Sequence, residues 1–309
     1  MQRHAAIQME LTVTDQTICF DAAGRQIDCI GSGHDGDGKQ PDVLSGKNRF
    51  RVIDNTVTDQ WTGVIWHQQA GLSEFPLAWH EALAFVEEMN RSGGTASHQW
   101  RLPSRHELFS LISHQNINPA LPAGHPFVNV FNGYYWTSTS CARVPDQAWY
   151  VHLGGGKVYR GMKHASYMVW PVSGPSFESD YRAERFLRVN GQVHDQATGK
   201  FWYTGERLPS VAVSWEEAIH AVSRLNKDKA YSGHNWRVPN IRELDSLVDL
   251  YRHSPALDGI FPVDDPQVGF WSSTTSIFEP RFAWVLYGID GAIGVGFKPQ
   301  ADFRVIAVR

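Results

Sequence analysis

"WRLPSRHEL" at residues 100–108 returns as "WRVPNIREL" at residues 236–244, 136 positions further along the chain. Pro103 biases Leu102 towards an extended backbone, so no helix can run through the front of the stretch. Ser104 then stands at a helix N-cap with Glu107 three residues on, the pattern of a capping box in which hydroxyl and carboxylate satisfy each other's backbone amides. Asn240 and Glu243 fill the same roles in the second stretch, and Asn caps as well as Ser. Leu108, Leu111 and Ile112 follow in the first, and Leu244, Leu247 and Val248 in the second, the buried stripe of a short amphipathic helix. Each stretch therefore reads as an extended segment turning sharply into a helix, and as scaffold without a catalytic group.

The repetition extends along the chain. "VTDQWTGVIW" (57–66) is answered by "VHDQATGKFW" (193–202), and "AWHEALAFVEEMN" (78–90) by "SWEEAIHAVSRLN" (214–226). "YYWTSTS" is answered by "GFWSSTT", and "QAWYVHLGGGKV" by "FAWVLYGIDGAI". A period this long is too large for a solenoid and marks the tandem duplication of a whole domain. Each copy orders a short hairpin, an amphipathic helix, the capped helix, a long loop (113–134 or 249–269) and closing strands, which is an α+β domain. Ser214 with Glu217 predicts a second capping box. The expected boundaries are a lead-in over 1–45, domains over 46–174 and 186–309, and a polar linker over 175–185. Trp66, Trp100, Trp202 and Trp236 recur at pattern positions and are expected in the cores, and Trp136 and Trp271 pack as well.

Composition limits the function classes. The 309 residues carry a formal charge of −4, which gives no general attraction to nucleic acid or to anionic membranes. No apolar run reaches transmembrane length. The start, "MQRHAAIQMELTVTD", lacks the apolar core of a signal peptide, so either the protein stays inside or a leader has been removed. Residues 1–45 hold 3 Lys and Arg against 7 Asp and Glu, whereas residues 46–174 hold 10 against 8. "DAAGR" reads as a turn between two short strands, and a hairpin of that length brings Cys19 and Cys29 within disulfide range; two reduced, buried thiols are the alternative. Cys141 is left as a buried small apolar residue.

Taken in order, Asp-x-x-Thr-Gly-x-x-Trp, Trp-Arg-Leu-Pro-x-x-x-Glu-Leu, Tyr-Trp-Thr-Ser-Thr and Ala-Trp-x-Val resemble the Lcl C-terminal domain family, in both copies. The "TDQTICFDAAGRQIDCIGSGHDGD" stretch resembles the lead-in that often precedes such domains. The resemblance implies a C-type-lectin-like fold, shared with the formylglycine-generating enzymes, in which long loops carry binding; the best-known members are surface adhesins that bind sulfated glycans. Departures exist: the family usually closes on Val-Arg-Cys-Val-Arg, while the second copy closes on "VIAVR" and the first on "VWPVS". Neither copy shows the cysteine pair of formylglycine-generating enzymes, so their oxidase chemistry is not carried over.

Candidate sites follow. "HEL" at 106–108 is no zincin, because Ser110 stands where the second histidine would be needed. Asp35, Asp37 and Asp42 in a Gly-rich loop, and Asp258, Asp264 and Asp265 in the second long loop, are hard oxygen ligands of the kind calcium takes. Their spacing fits no EF-hand and the lectin sugar-site signatures are absent, so solvated acidic loops are the favoured reading, and calcium is the one cofactor entertained. In copy one Tyr134, Tyr159, Arg160 and Lys163, with His125 from the long loop, are the candidate ligand-binding residues, Tyr and Arg being common anchors. The expected function is a non-catalytic, adhesin-like binding module outside the cytoplasm, recognising a glycan or a surface protein, alone or within a larger surface assembly. An enzyme of the sulfatase-modifying type and a diversified target-binding protein on the same fold are the alternatives.

Overall fold

The computed structural model describes residues 12–39, 49–92, 98–176, 185–228, 235–261, 263, 265 and 267–309. The chain divides into two compact units, Asp42–Asp180 and a second that joins Met1–Pro41 to Tyr181–Arg309. Copy one opens on antiparallel strands Phe50–Ile53, Thr56–Asp59 and Ile65–His67. Val172–Ser173 comes back from the far end of the copy to pair with Ile65–His67, so first and last segments share a sheet. Between them lie helix α1 (Trp79–Ser92), helix α2 (Arg105–Ser110) and a meander of strands Tyr134–Ser140, Gln147–His152 and Val158–Met162. Copy two repeats the plan with strands Phe186–Val189, Gln192–Asp195, Phe201–Tyr203 and Ala307–Val308, helices α3 (Trp215–Lys227) and α4 (Ile241–Asp245), and a meander over Phe270–Thr275, Phe282–Leu286 and Ile293–Phe297.

The duplication holds bond by bond. Arg101 exchanges backbone hydrogen bonds with Val172, and Arg237 with Val308, the same 136-residue offset. Both capping boxes form: Ser104 accepts from the Glu107 amide at 3.3 Å and Asn240 from the Glu243 amide at 2.9 Å, while each carboxylate returns to the cap amide. Each carboxylate also takes a bidentate pair of bonds from its own arginine, Arg101 to Glu107 at 2.7 Å and Arg237 to Glu243 at 2.6 Å. The Asp-Gln-x-x-Thr-Gly turn is held in the same way, by Arg49 on Asp59 and Arg185 on Asp195, both pairs buried. Trp79 and Trp215 donate Nε1–H to the carbonyls of Thr137 and Ser272, and Trp136 and Trp271 to those of Leu77 and Val213. Each of these four indoles is thereby satisfied, as most buried polar donors are.

Two details differ from the expectation. Ser214 caps α3 through the Glu217 amide, but the Glu217 carboxylate turns to Arg224 at 2.6 Å and leaves the box half made. Trp236 is buried while Trp100 stays half-exposed. The cause is the closing residue of the repeat: the Arg309 guanidinium lies 5.2 Å from the Trp236 ring, and copy one has Ser173 at that position.

The lead-in makes no core of its own, because it packs on copy two. Cys19–Phe20 and Gln26–Ile27 form a two-stranded hairpin, and Cys19 and Cys29 are joined by a disulfide with Cα atoms 5.3 Å apart. Gly36 sits against the bridge, where an added Cβ would come within 2.8 and 2.9 Å of the two sulfurs. Asp35 accepts from the hydroxyls of Thr14 and Thr274 at 2.6 Å each and pairs with Lys39. Gln16 behaves like an extra strand, its side-chain amide exchanging two 2.8 Å bonds with the backbone of Thr275. Lys298, fully buried, donates to the carbonyls of Phe20 and Asp21 at 2.8 and 3.2 Å. Cys141 remains a free, buried thiol.

Two outcomes follow from these contacts. Burial alone would raise the Glu243 carboxyl, but Arg237, Lys200 and the Asn240 amide overcome it and hold it down at about 2. A depressed acid stabilises the fold above its unfolded pKa, and that stability is lost as pH falls from about 4.5 to about 2. Glu243→Gln should lower unfolding free energy at pH 7 by about 2–4 kcal/mol and flatten that acid limb in chemical-denaturation curves. Replacing both Cys19 and Cys29 by Ser should loosen the lead-in by about 2–3 kcal/mol. Hydrogen exchange should then rise over 12–39 and leave the copy-one strands unchanged; equal exchange with and without the bridge would refute this.

Candidate functional site

In an antiparallel meander, residues directly opposite one another share a face, and so do alternate residues along each strand. Tyr134 lies opposite His152, Trp136 opposite Tyr150, and Tyr150 opposite Tyr159, so the register gathers these side chains on one face of copy one. Tyr167 reaches the same face from strand Ser166–Tyr167, which pairs with Leu77–Ala78. It lies across Gly161, where a Cβ would meet its hydroxyl at 2.6 Å. Only glycine lets the ring settle there.

The rings form a continuous cluster. Tyr134 has its centroid 4.9 Å from Tyr150, 4.8 Å from His152 and 5.3 Å from Tyr167. Tyr167 lies 4.9 Å from Tyr150 and 4.4 Å from Trp136, which is itself buried beneath. Tyr134 and Tyr159 remain 43% and 39% exposed, large for aromatic residues, while Tyr150 and Tyr167 are half-buried. Arg160 borders the cluster with its guanidinium 4.7 Å from the Tyr159 ring. The long loop meets this face where Asn132 and Asn118 approach Gly154 beside the His152 ring, while Phe131, 53% exposed, donates its amide to the hydroxyl of Tyr135, which points to the opposite face, at 2.7 Å.

Burial favours the neutral forms of three of these groups, Tyr150, Tyr167 and His152. Burial, with the neighbouring Tyr167, Tyr134 and Tyr159, pushes the Tyr150 phenol up to about 12. Tyr167 is raised by burial and by Tyr134. Burial, then Lys157, holds the His152 imidazole below its usual value. The cluster therefore offers aromatic faces with neutral hydroxyl and imidazole groups that both donate and accept. Copy two replaces this chemistry at matched register positions: Gly269 for Tyr134, Val285 for Tyr150, Gly294 for Tyr159, Tyr287 for His152 and Phe303 for Tyr167.

Of the residues singled out by sequence, Tyr134, Tyr159 and Arg160 come together here. Lys163 holds its ammonium 4.3 Å from the Trp79 ring, and its carbonyl accepts from the Trp79 amide at the start of α1. His125 stacks on Phe127, which packs against Trp66 and Trp170 in the core. Sequence reasoning passed over Tyr150, His152 and Tyr167; the aromatic alternation 134, 136 and 150, 152 is the signal that finds the first two. Among the acidic candidates, the Asp35 carboxylate is engaged in the lead-in contacts above, and Asp37 accepts the amides of Gly31 and Gly33. Asp258 and Asp265 each accept the amide two residues on, from Ile260 and Gln267. Asp42 and Asp264 lie outside the described residues. Among the described residues no three His, Cys, Asp or Glu side chains converge as metal ligands, and the carboxylates of Asp37, Asp258 and Asp265 accept nearby backbone amides. No helix among them is long and apolar enough to cross a membrane.

The model of the Lcl C-terminal domain matches this chain twice, over residues 55–173 and over residues 191–309. A search of curated proteins finds no match.

The close approach at Gly161 makes the cluster testable without altering a tyrosine. Gly161→Ala should push the Tyr167 ring off the face, at a cost of about 1–3 kcal/mol. Near-UV circular dichroism should lose tyrosine intensity while the far-UV spectrum is kept; an unchanged near-UV spectrum would show that the ring does not rest there.

Proposed function

The chain belongs to the Lcl C-terminal domain family, carrying that domain twice, and we propose from this that it is a non-catalytic binding protein whose copy one recognises a glycan. The observation that carries the reading is the tyrosine face of copy one, built on a scaffold that copy two shares and leaves without those tyrosines. Flat, half-exposed rings take the apolar faces of sugar rings, and hydroxyls at their edges exchange hydrogen bonds with sugar hydroxyls. Rings already packed against one another lose little freedom on binding, which favours affinity. Arg160 at the border adds one charge-assisted contact for a sulfate or carboxylate on the glycan.

We read each copy as C-type-lectin-like, a finer assignment than α+β, and the protein as an adhesin-like molecule working outside the cytoplasm. The Cys19–Cys29 disulfide is compatible with an oxidising compartment. The loop 113–134 supports the reading because Asn118 and Asn132 approach the tyrosine face beside Gly154 and His152.

A glycan array and a heparin column, run on the intact chain, decide between outcomes. Tyr134→Ala and Tyr159→Ala should each weaken retention by about tenfold or more, as truncated aromatic anchors do. Arg160→Ala should lower the affinity for sulfated glycans and reduce its sensitivity to salt. Phe278→Ala, at an exposed ring of copy two, should change nothing. Glycan retention indifferent to both tyrosines, or turnover of a cysteine-containing peptide to formylglycine, would overturn the proposal.

A further inference from the structure

The surface of copy two on which the lead-in rests has a counterpart in copy one. In copy two the dock has five elements. The Ser273 carbonyl accepts the Asp35 amide at 3.1 Å, and the Thr274 hydroxyl donates to the Asp35 carboxylate at 2.6 Å. The Thr275 backbone pairs with the Gln16 side chain. Lys298 reaches two lead-in carbonyls while its ammonium stays 4.1 Å from the Trp215 ring, and that ring carries His34 at 4.5 Å. Covered in this way, Ser273, Thr274 and Thr275 are 2%, 0% and 1% exposed.

Copy one keeps each element. Ser138, Thr139 and Ser140 correspond to Ser273, Thr274 and Thr275; Lys163 corresponds to Lys298, and Trp79 to Trp215. The local geometry is kept too. Thr139 accepts the amide of Arg105 at 3.0 Å as Thr274 accepts that of Ile241 at 3.1 Å. Lys163 lies 4.3 Å from the Trp79 ring in the pose of Lys298. Yet Ser138 and Thr139 are partly exposed and Ser140 is exposed. Among the described residues, no side chain does there what Asp35 and Gln16 do in copy two.

We propose that this edge of copy one is an open docking site for an extended acidic segment of a partner polypeptide, one that binds as the lead-in binds copy two. Such a segment would place a carboxylate on the Thr139 hydroxyl, main-chain carbonyls on the Lys163 ammonium, and a side-chain amide against Ser140. Charge favours this occupant: residues 12–39 carry 2 Lys and Arg against 5 Asp, while residues 46–174 carry 10 Lys and Arg against 8 Asp and Glu. As in copy two, the contacts would be made chiefly by side chains, with one backbone bond to the Ser138 carbonyl, because the amides of Trp136, Ser138 and Thr139 are already taken by Met168, Pro103 and Thr137. Two positions differ, Ser104 for Asn240 and Asp146 for Arg281, and they mark where the partner segment departs from the lead-in. Among the described residues one lead-in covers one of two equivalent docks, which leaves the dock of copy one open to a partner.

The probe is a synthetic peptide of residues 12–39 with its disulfide closed, labelled and titrated into the intact chain by fluorescence anisotropy. Saturable binding at one site per chain is expected, about tenfold weaker or more in Lys163→Glu and in a peptide with Asp35→Asn, since both remove a charge-assisted contact. Tyr134→Ala should leave it unchanged, which separates this site from the glycan face. No binding, or binding indifferent to Lys163→Glu, would overturn the proposal. So would self-association of the chain, seen by sedimentation and abolished by Lys163→Glu, which would assign the edge to a second copy of this chain.

Discussion

One buried carboxylate organises each copy. Glu107 and Glu243 each close a capping box, take a bidentate arginine, and lie fully enclosed, so a single charged group answers to a helix start and to a strand at once. The arginine belongs to the segment whose backbone pairs with the last strand of the repeat, Val172 or Val308. The carboxylate thereby couples the middle of the domain to its end. A charge so placed is tolerated only with every lone pair answered. That demand explains why the Trp-Arg-x-Pro-x-x-x-Glu-Leu spacing survives intact in both copies while their loops have diverged.

Around that fixed frame the copies have divergent surfaces. The meander presents the same register in each, with Trp136 and Trp271 buried at equivalent places. On the outer positions one copy has tyrosines and the other glycine, valine and phenylalanine. The glycines of copy two are not vacancies to be filled: a Cβ on Gly294 would strike the Tyr287 ring and one on Gly296 the Phe303 and Trp271 rings. In both copies a ring lies over a glycine of the third meander strand, Tyr167 over Gly161 and Phe303 over Gly296; the copies differ because copy one carries tyrosines at positions 134, 150 and 159, where copy two has glycine, valine and glycine.

What the sequence made legible was whatever depends on neighbours along the chain. Caps, turns and the amphipathic stripes of α1 and α3 obey local rules, and the repeat offset doubled each signal. The Ser214 box shows the limit of such rules, since Glu217 found Arg224 two turns along the helix and preferred it. Trp100 shows another, because its exposure depends on a residue at the far end of the repeat. Tyr134, Tyr159 and Arg160 were visible as candidates, but Tyr150 and Tyr167 join them only through strand register and through the absence of a side chain at Gly161. Lys163 and His125 look like ligand groups in sequence and serve α1 and the Phe127 core in space.

The lead-in lay furthest beyond sequence reasoning. Its bonds span separations such as 259 residues from Gln16 to Thr275 and 239 from Asp35 to Thr274, and no periodicity encodes a contact made by one amide and one carboxylate. It precedes copy one in the chain and yet completes copy two. A short acidic segment cannot bury enough apolar surface to order itself, so its structure is a property of the surface that receives it, with the disulfide limiting the freedom it must give up. A tandem duplication makes this possible: two copies of one dock arise together, and covering one with the chain's own segment stabilises that copy. The other copy keeps the Ser138–Ser140 end of its strand and the rings of Tyr134 and Tyr159 open to solvent.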